Sequence, residues 1–444
     1  MIKEINEFYY TFLFSTLSTL LFIIYLKFDK EIYNNYFSNN NNNYKHHYKN
    51  KKKKKKLKIG LLTNEIPPVV YGGVATWILN FMKMFKNDEN YEVIPIFLAY
   101  NELFNENWED TNNIIINKYP QIRVITNEKE LINSFNDIDV CVNNLWVSLE
   151  SIKLIVDYYP NLKMISVCHS LIKMEHITNL GSIYTNDFFK QEITFQYSDY
   201  VVLISKAEKI YYESFGYSKY KAQPVVIYNS YSPKFDDKNV FNNYTNDNLG
   251  YIGRHVPRKR PELAILGIDK LGRKDVEVFN MGVDFDKYDN SYWRKLDKQF
   301  KQLNIIPFST DKSLKEKYYK SIGVNIISGI YEPFGYTLCE CLDRRIPVIV
   351  QNIDGPIEIV NKVKNNVYIY EVDKKSLKND VDNLVKTLSN FYKTDPDTRK
   401  KNSEIARLAL DQFRPENIKV DWLKLFNNDI NNNSYNWFWT YFTN

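Results

Sequence analysis

The chain has 444 residues, too many for one ordinary domain and suited to two. Hydrophobic residues make up 44% and charged residues 25%, a globular balance that excludes bulk disorder. The net charge of +6 sits in one place: residues 1–58 hold 12 lysines against 4 acidic residues, which leaves 47 basic and 49 acidic residues for the rest. The body therefore has no global charge that would draw it to nucleic acid. Cys141, Cys168, Cys339 and Cys341 show no Cys-x-x-Cys spacing. They argue against a disulfide framework or structural zinc and suit a reducing compartment.

At the N-terminus, Phe8–Leu26 is a run of 19 residues without a charge. That length crosses a bilayer core of ~30 Å. Lys3 is outnumbered by Glu4 and Glu7, and no small-residue exit precedes Lys27-Phe28-Asp29. An uncleaved transmembrane anchor over residues 1–30 fits better than a signal peptide. Residues 31–56 hold Asn39–Asn43 and six lysines, Lys51–Lys56, and read as a solvated low-complexity linker near anionic lipid. The basic flank after the span predicts a single-pass membrane protein with its body in the cytosol. The closing segment, 431–444, is an aromatic tail with Trp437, Phe438, Trp439, Tyr441 and Phe442. It either packs on the body or touches the same bilayer.

From Leu57 the chain alternates short apolar runs with helical patterns, the mark of parallel sheets covered by helices. Strands are predicted at Leu57–Leu62, Asp139–Val142, Lys163–Val167 and Tyr200–Ile204. A second series opens near Val225–Tyr228 and continues at Leu249–Ile252, Val276–Phe279, Val324–Ile327 and Pro347–Val350. Two α/β series imply two Rossmann-like domains, 57–225 and 226–430, with ligands at the carboxyl ends of the strands and a cleft between the domains.

Four places carry chemistry. Gly72-Gly73 lies between the first strand and a helix, where backbone N–H groups can approach a phosphate or sugar, although a plain turn explains it equally. His169 ends a predicted strand and is either an active-site residue or a hydrogen-bonded structural histidine. Arg254 and Lys259 flank one strand-end loop, where two cations could neutralise a diphosphate. Arg258 and Arg260 leave open the alternative of a solvated basic loop. Finally, Glu332 and Glu340 stand eight positions apart around Phe334-Gly335, whose backbone N–H groups open a helix. Glu340 reads either as an acceptor for the vicinal hydroxyls of a ribose or, with Thr337, as a capping box. Three Asp-x-Asp triplets, 137–139, 284–286 and 380–382, read as structural rather than metal-binding.

The stretch Glu332–Glu340 resembles the E-x7-E signature of retaining GT-B glycosyltransferases in the glycogen-synthase-like family 4 group. Other matches follow in order. Glu65-Ile66-Pro67-Pro68 with Gly72-Gly73 looks like the N-terminal glycine loop, and His169 like the family's N-domain histidine. Leu203–Lys206 resembles the Ser-Lys segment, Gly253-Arg254 through Lys259 the GR-x4-K element, and Asp354–Glu358 the turn that follows the signature. Asn229–Ser232, Ser328-Gly329 and Arg345 depart from the family pattern.

The resemblance implies a GT-B fold, two Rossmann-like domains facing across a cleft, with an acceptor domain before a nucleotide-sugar donor domain. It also implies metal-independent transfer of a sugar with retention. His169 and Glu332 would serve the reacting sugar. Gly72, Gly73, Arg254, Lys259, Phe334, Gly335 and Glu340 would hold the donor. No cofactor is implied beyond the nucleotide-diphosphate sugar as substrate. The acceptor is an unknown glycan, lipid or protein. A nucleotide-sugar epimerase, a phosphorylase, or a catalytically silent membrane-tethered binding module stand as alternatives on the same fold.

Overall fold

The computed structural model describes residues 56–70, 72–99, 108–144, 149–179, 186–235, 243–283, 291–307, 309 and 311–428. Two fully parallel sheets organise them. The first contains β1 (Leu57–Thr63), β2 (Tyr91–Leu98), β3 (Arg123–Ile125), β4 (Val140–Asn143), β5 (Lys163–Cys168), β6 (Tyr200–Leu203) and β7 (Gln223–Val226), in the order β3-β2-β1-β4-β5-β6-β7. The second contains β8 (Leu249–Ile252), β9 (Val278–Val283), β10 (Leu303–Pro307), β11 (Val324–Ile327), β12 (Val348–Gln351) and β13 (Tyr368–Tyr370), in the order β10-β9-β8-β11-β12-β13. The central strands are buried along their length, as Val-Cys-Val-Asn in β4 and Val-Asn-Ile-Ile in β11 show. Helices cover both faces of such sheets, so their strands read as continuous rather than alternating apolar runs.

Each sheet reverses its strand order once, between β1 and β4 and between β8 and β11. The chain leaves these neighbouring strands in opposite directions and opens a crevice at their carboxyl ends. All the strands of each sheet are parallel, so the candidate loops of a domain gather on one edge.

Two expectations are corrected by the topology. Gln223–Val226 does not open the second series. It pairs with β6, Leu203 opposite Val226, and closes the first sheet. The end of the chain does not stay with the second domain either. The helix Pro415–Phe426 returns to the first helix, Gly73–Met84. Trp422 meets Phe81 at 5.0 Å and Trp77 at 6.1 Å, and Phe426 meets Phe85 at 5.8 Å. Lys163 Nζ donates to the carbonyls of Leu425 and Phe426 (3.1 and 2.9 Å), which neutralises the negative end of that helix. An apolar helix face goes where aromatic surface awaits it, regardless of chain order.

The localisation expectation is also corrected. No helix among the described residues is long and apolar enough to cross a membrane. The segment 1–30 that carried the single-pass reading, most of the linker 31–56 and the tail 431–444 lie outside the described residues. The four cysteines are free and buried. Two Asp-x-Asp triplets are structural: Asp137 pairs with Arg123 and Lys58, Asp139 accepts from the Lys58 amide, and Asp380 and Asp382 pair with Arg260 and Lys270. The third, 284–286, lies outside the described residues.

Trp422 is 1% exposed in a cluster of aromatic rings. Trp422→Ala is expected to cost about 3–5 kcal/mol of stability, read from urea unfolding.

Candidate functional site

On the first domain, Gly72 is exposed in extended backbone as the cap of the helix Gly73–Met84. Gly73 faces the other domain: a Cβ there would sit 3.2 Å from the Tyr336 ring. His169 follows β5. Its Nε2 bonds Asn144 Oδ1 from the loop after β4, and Trp77 packs on it at 5.2 Å, nearly perpendicular. Burial pushes the imidazole pKa down to about 3, so the ring is neutral at physiological pH.

On the second domain, β8 ends at Ile252 and the chain passes Gly253 and the exposed Arg254 into the 3-10 turn Pro257–Lys259. The loop after β11 lies directly against this turn. Ile330 N–H donates to the Arg258 carbonyl (2.8 Å), and Ser328 Oγ donates to the carbonyls of Lys259 (2.8 Å) and Arg260 (3.1 Å). Across that seam Lys259 Nζ pairs with Glu332 Oε2, both side chains largely buried. Burial works to raise the Glu332 pKa, but Lys259 and Arg258 outweigh it and hold the carboxylate below its usual range. Burial also lowers Lys259 to about 8, against the pull of Glu332. The structure thus brings Lys259 and Glu332 together, and places Arg254 on the same loop.

Glu332 is held from behind as well. Its amide donates to Asp354 Oδ2 (3.2 Å), and its carbonyl accepts from Gly355 N–H (3.1 Å). Gly355 belongs to the helix Asp354–Val360, where a Cβ would lie 2.3 Å from the Pro333 carbonyl oxygen. Only glycine permits that approach. Glu358, on the same helix, caps the first domain: its oxygens accept from the amides of Lys206 (3.0 Å) and Ala207 (2.7 Å) and from Tyr228 Oη (2.6 Å).

Glu340 lies on the helix Tyr336–Asp343. The capping box does not form: Gly335, with φ 112°, is the cap, and Thr337 sits inside the helix. Glu340 Oε2 instead takes Lys315 Nζ at 2.6 Å and the Tyr319 hydroxyl at 2.7 Å. Burial works to raise its pKa, but Lys315 and Tyr319 bring the net below the carboxylate norm. Phe334 is buried, edge-on to Tyr336 and Phe413, so its side chain serves the core.

Residues 233–406 match the family described as Glycosyl transferases group 1. The second domain thus resembles the group 1 glycosyltransferases, and the two parallel-sheet domains together have the GT-B fold. An uncharacterized glycosyltransferase of Methanocaldococcus jannaschii is 24% identical over 359 residues, 74% of this chain and 89% of that protein. Among solved structures, the Anabaena protein HepE in complex with UDP and glucose has a TM-score of 0.62 at 14% identity, over 84% of this chain and 99% of that one. Sucrose-phosphate synthase from Thermosynechococcus elongatus has a TM-score of 0.64 at 15% identity, again over 84% and 99%. The catalytic domain of Arabidopsis thaliana starch synthase IV, bound to ADP and acarbose, has a TM-score of 0.60 at 13% identity, over 84% and 99%.

The matched region holds Arg254, Lys259, Phe334, Gly335, Glu332 and Glu340, while Gly72, Gly73 and His169 precede it. One departure from the family pattern has a visible role: Ser328 laces the turn after β8 to the loop after β11. Another stands under constraint, since Arg345 takes a left-handed φ of 58° where the family pattern has glycine.

Sequence reasoning missed Arg258, Glu175, Lys315, Tyr319 and Asp354 as parts of the site. Lys315 and Tyr319 carried a signal, four apart on one helical face. Arg258 carried none, because a basic run does not say which member turns inward.

An anion that binds the Lys259 ammonium is held fully below its pKa, and the grip is lost as pH rises through about 8. UDP or ADP affinity, titrated calorimetrically from pH 6.5 to 9.5, is expected to fall across that window and to stay flat in Lys259→Met.

Proposed function

We propose that the chain moves a sugar from a nucleotide-diphosphate sugar to an acceptor hydroxyl with retention at the anomeric carbon, and without a metal ion. The Lys259–Glu332 pair carries this reading: a largely buried lysine and carboxylate at the carboxyl end of the switch-point strands, with Arg254 on the same loop as Lys259. A diphosphate placed there takes the Lys259 and Arg254 cations, which also stabilise the charge that grows as it leaves. Two fixed cations supply what a metal would otherwise provide. Glu332 then contacts the transferred sugar, and Glu340 accepts from ribose hydroxyls. Backbone N–H groups of Phe334 and Gly335 face the donor at a helix start. His169, neutral by burial, and Gly72-Gly73 meet the sugar and acceptor from the first domain. Among the structural relatives, HepE is in complex with UDP and glucose and starch synthase IV is bound to ADP and acarbose, which supports a nucleotide and sugar class of ligand.

In the reaction, the bond between the anomeric carbon and the diphosphate oxygen breaks, and the bond to the acceptor oxygen forms on the same face. The acceptor proton passes to the leaving phosphate oxygen. This route needs no separate general base. The second domain takes the donor, and the first takes the acceptor, a glycan, lipid or protein.

The test is a screen of nucleotide sugars for thermal stabilisation of the protein, followed by hydrolysis and transfer assays on the hits. Glu332→Gln is expected to lower turnover by roughly 30- to 1000-fold with little change in UDP or ADP affinity, the loss of about 2–4 kcal/mol of transition-state stabilisation. Glu340→Gln is expected to weaken nucleotide binding, since an amide accepts less well from two hydroxyls. EDTA is expected to leave activity intact. Full activity in Glu332→Gln, or EDTA inhibition reversed by manganese, overturns the assignment.

A further inference from the structure

We infer that Arg258 is a positioning residue that clasps the first domain to the reacting site through Glu175. The inference rests on the functional reading above only for its effect on turnover.

Arg258 is 3% exposed, a guanidinium withdrawn from water. In the chain it stands between the exposed Arg254 and the largely buried Lys259, and the 3-10 turn beginning at Pro257 directs it inward. Its contacts run to both domains. Within its own domain, Nη1 donates to the Tyr331 carbonyl at 3.2 Å, and the guanidinium lies 5.8 Å from the Tyr331 ring centre. Towards the first domain, Nη2 donates to Glu175 Oε1 at 3.1 Å, and the Arg258 amide donates to Asn179 Oδ1, also at 3.1 Å. Glu175 and Asn179 belong to the helix Ile172–Thr178 and its cap. Ser170 Oγ donates to the same Glu175 oxygen at 2.8 Å. Tyr331 completes the bridge, its hydroxyl accepting from Leu171 N–H at 2.8 Å.

The anchors are one residue away from the proposed chemistry on all three strands of chain. Arg258 precedes Lys259, Tyr331 precedes Glu332, and Ser170 follows His169. A shift of the clasp therefore moves the cation, the carboxylate and the imidazole relative to one another. Near-attack geometry tolerates little such movement. The choice of arginine follows from geometry. A planar fork serves two acceptors in different directions, Glu175 and the Tyr331 carbonyl, which a lysine ammonium on a flexible stem does less well. Separating the domains would leave a buried guanidinium and a largely buried carboxylate without each other, which disfavours the open arrangement. Lys206, Ala207 and Tyr228 on Glu358, and Tyr211 on Asp354 (2.6 Å), join the domains elsewhere, so loss of the clasp loosens the site without separating the domains completely.

The experiment uses the full chain with spin labels at Glu150→Cys and Lys386→Cys, one exposed position on each domain; the native cysteines are buried. Distances between labels are measured by pulsed dipolar spectroscopy, alone and with UDP or ADP. Arg258→Met is expected to broaden the distribution in the absence of nucleotide, and Arg258→Lys to narrow it again in part. Glu175→Gln leaves Arg258 its bonds to Tyr331 and Asn179. It is expected to act in the same direction, and it stands in should Arg258→Met fail to fold. With the nucleotide sugar found by the screen, Arg258→Met is expected to lower kcat about tenfold or more with donor KM within about threefold, the signature of an interaction needed at the transition state. A distance distribution in Arg258→Met and Glu175→Gln that superimposes on the parent overturns the inference. So does a raised KM at unchanged kcat. If the parent turns over no nucleotide sugar, the functional reading fails, while the distances still decide the clasp.

Discussion

The site depends on one seam, where the turn after β8 is stitched to the loop after β11. These strands are neighbours at the point where the sheet reverses its order, so their loops leave in opposite directions and border one crevice. Ser328 and Ile330 fasten them together by bonding the carbonyls of Arg258, Lys259 and Arg260. Polar backbone buried at such a junction must find partners, and here each loop supplies them to the other. With the seam closed, Lys259 and Glu332 face each other across it.

The same constraint explains the helix that follows β12. Asp354 and Gly355 reach the loop from behind, one with a carboxylate and one with an amide, and leave no room for a side chain at Gly355. Glu358, one turn further on, takes the amides that open a helix of the first domain. A single short helix thus braces the loop of Glu332 and holds the other domain. The last helix contributes in a second way, since its aromatic face joins Trp77 and Phe81, and Trp77 in turn packs on His169.

The electrostatics share a pattern. Each glutamate of the signature sits beside a lysine, Glu332 with Lys259 and Glu340 with Lys315. Both carboxylates stay ionised despite burial because the cation is in contact. Lys259 meets the opposite pressure: desolvation lowers it to about 8, so its charge is available to a ligand near neutral pH but held loosely. An incoming diphosphate would favour that charged form. Lys259 and Glu332 thus meet as a largely buried ion pair in which burial and charge pull each group in opposite directions.

Much of this was legible in the sequence, because strand character in buried parallel sheets is local. Runs such as those of β1, β8 and β11 announced themselves, as did glycines between strands and helices and the two glutamates eight positions apart. The sheet to which β7 belongs was not legible, because an apolar run is compatible with either neighbour until pairing with β6 selects one. Of the two readings open for Glu340, the capping box falls: Thr337 and Glu340 have its spacing, yet the helix begins at Gly335, whose left-handed φ sets the cap. The basic run 258–260 is the sharpest case. Its composition determined that cations would stand at a strand end. Only the tertiary structure decided that Arg258 turns inward to Glu175 while Lys259 meets Glu332, because the direction of each side chain in a tight turn depends on which distant carboxylates and carbonyls the other loops bring within reach.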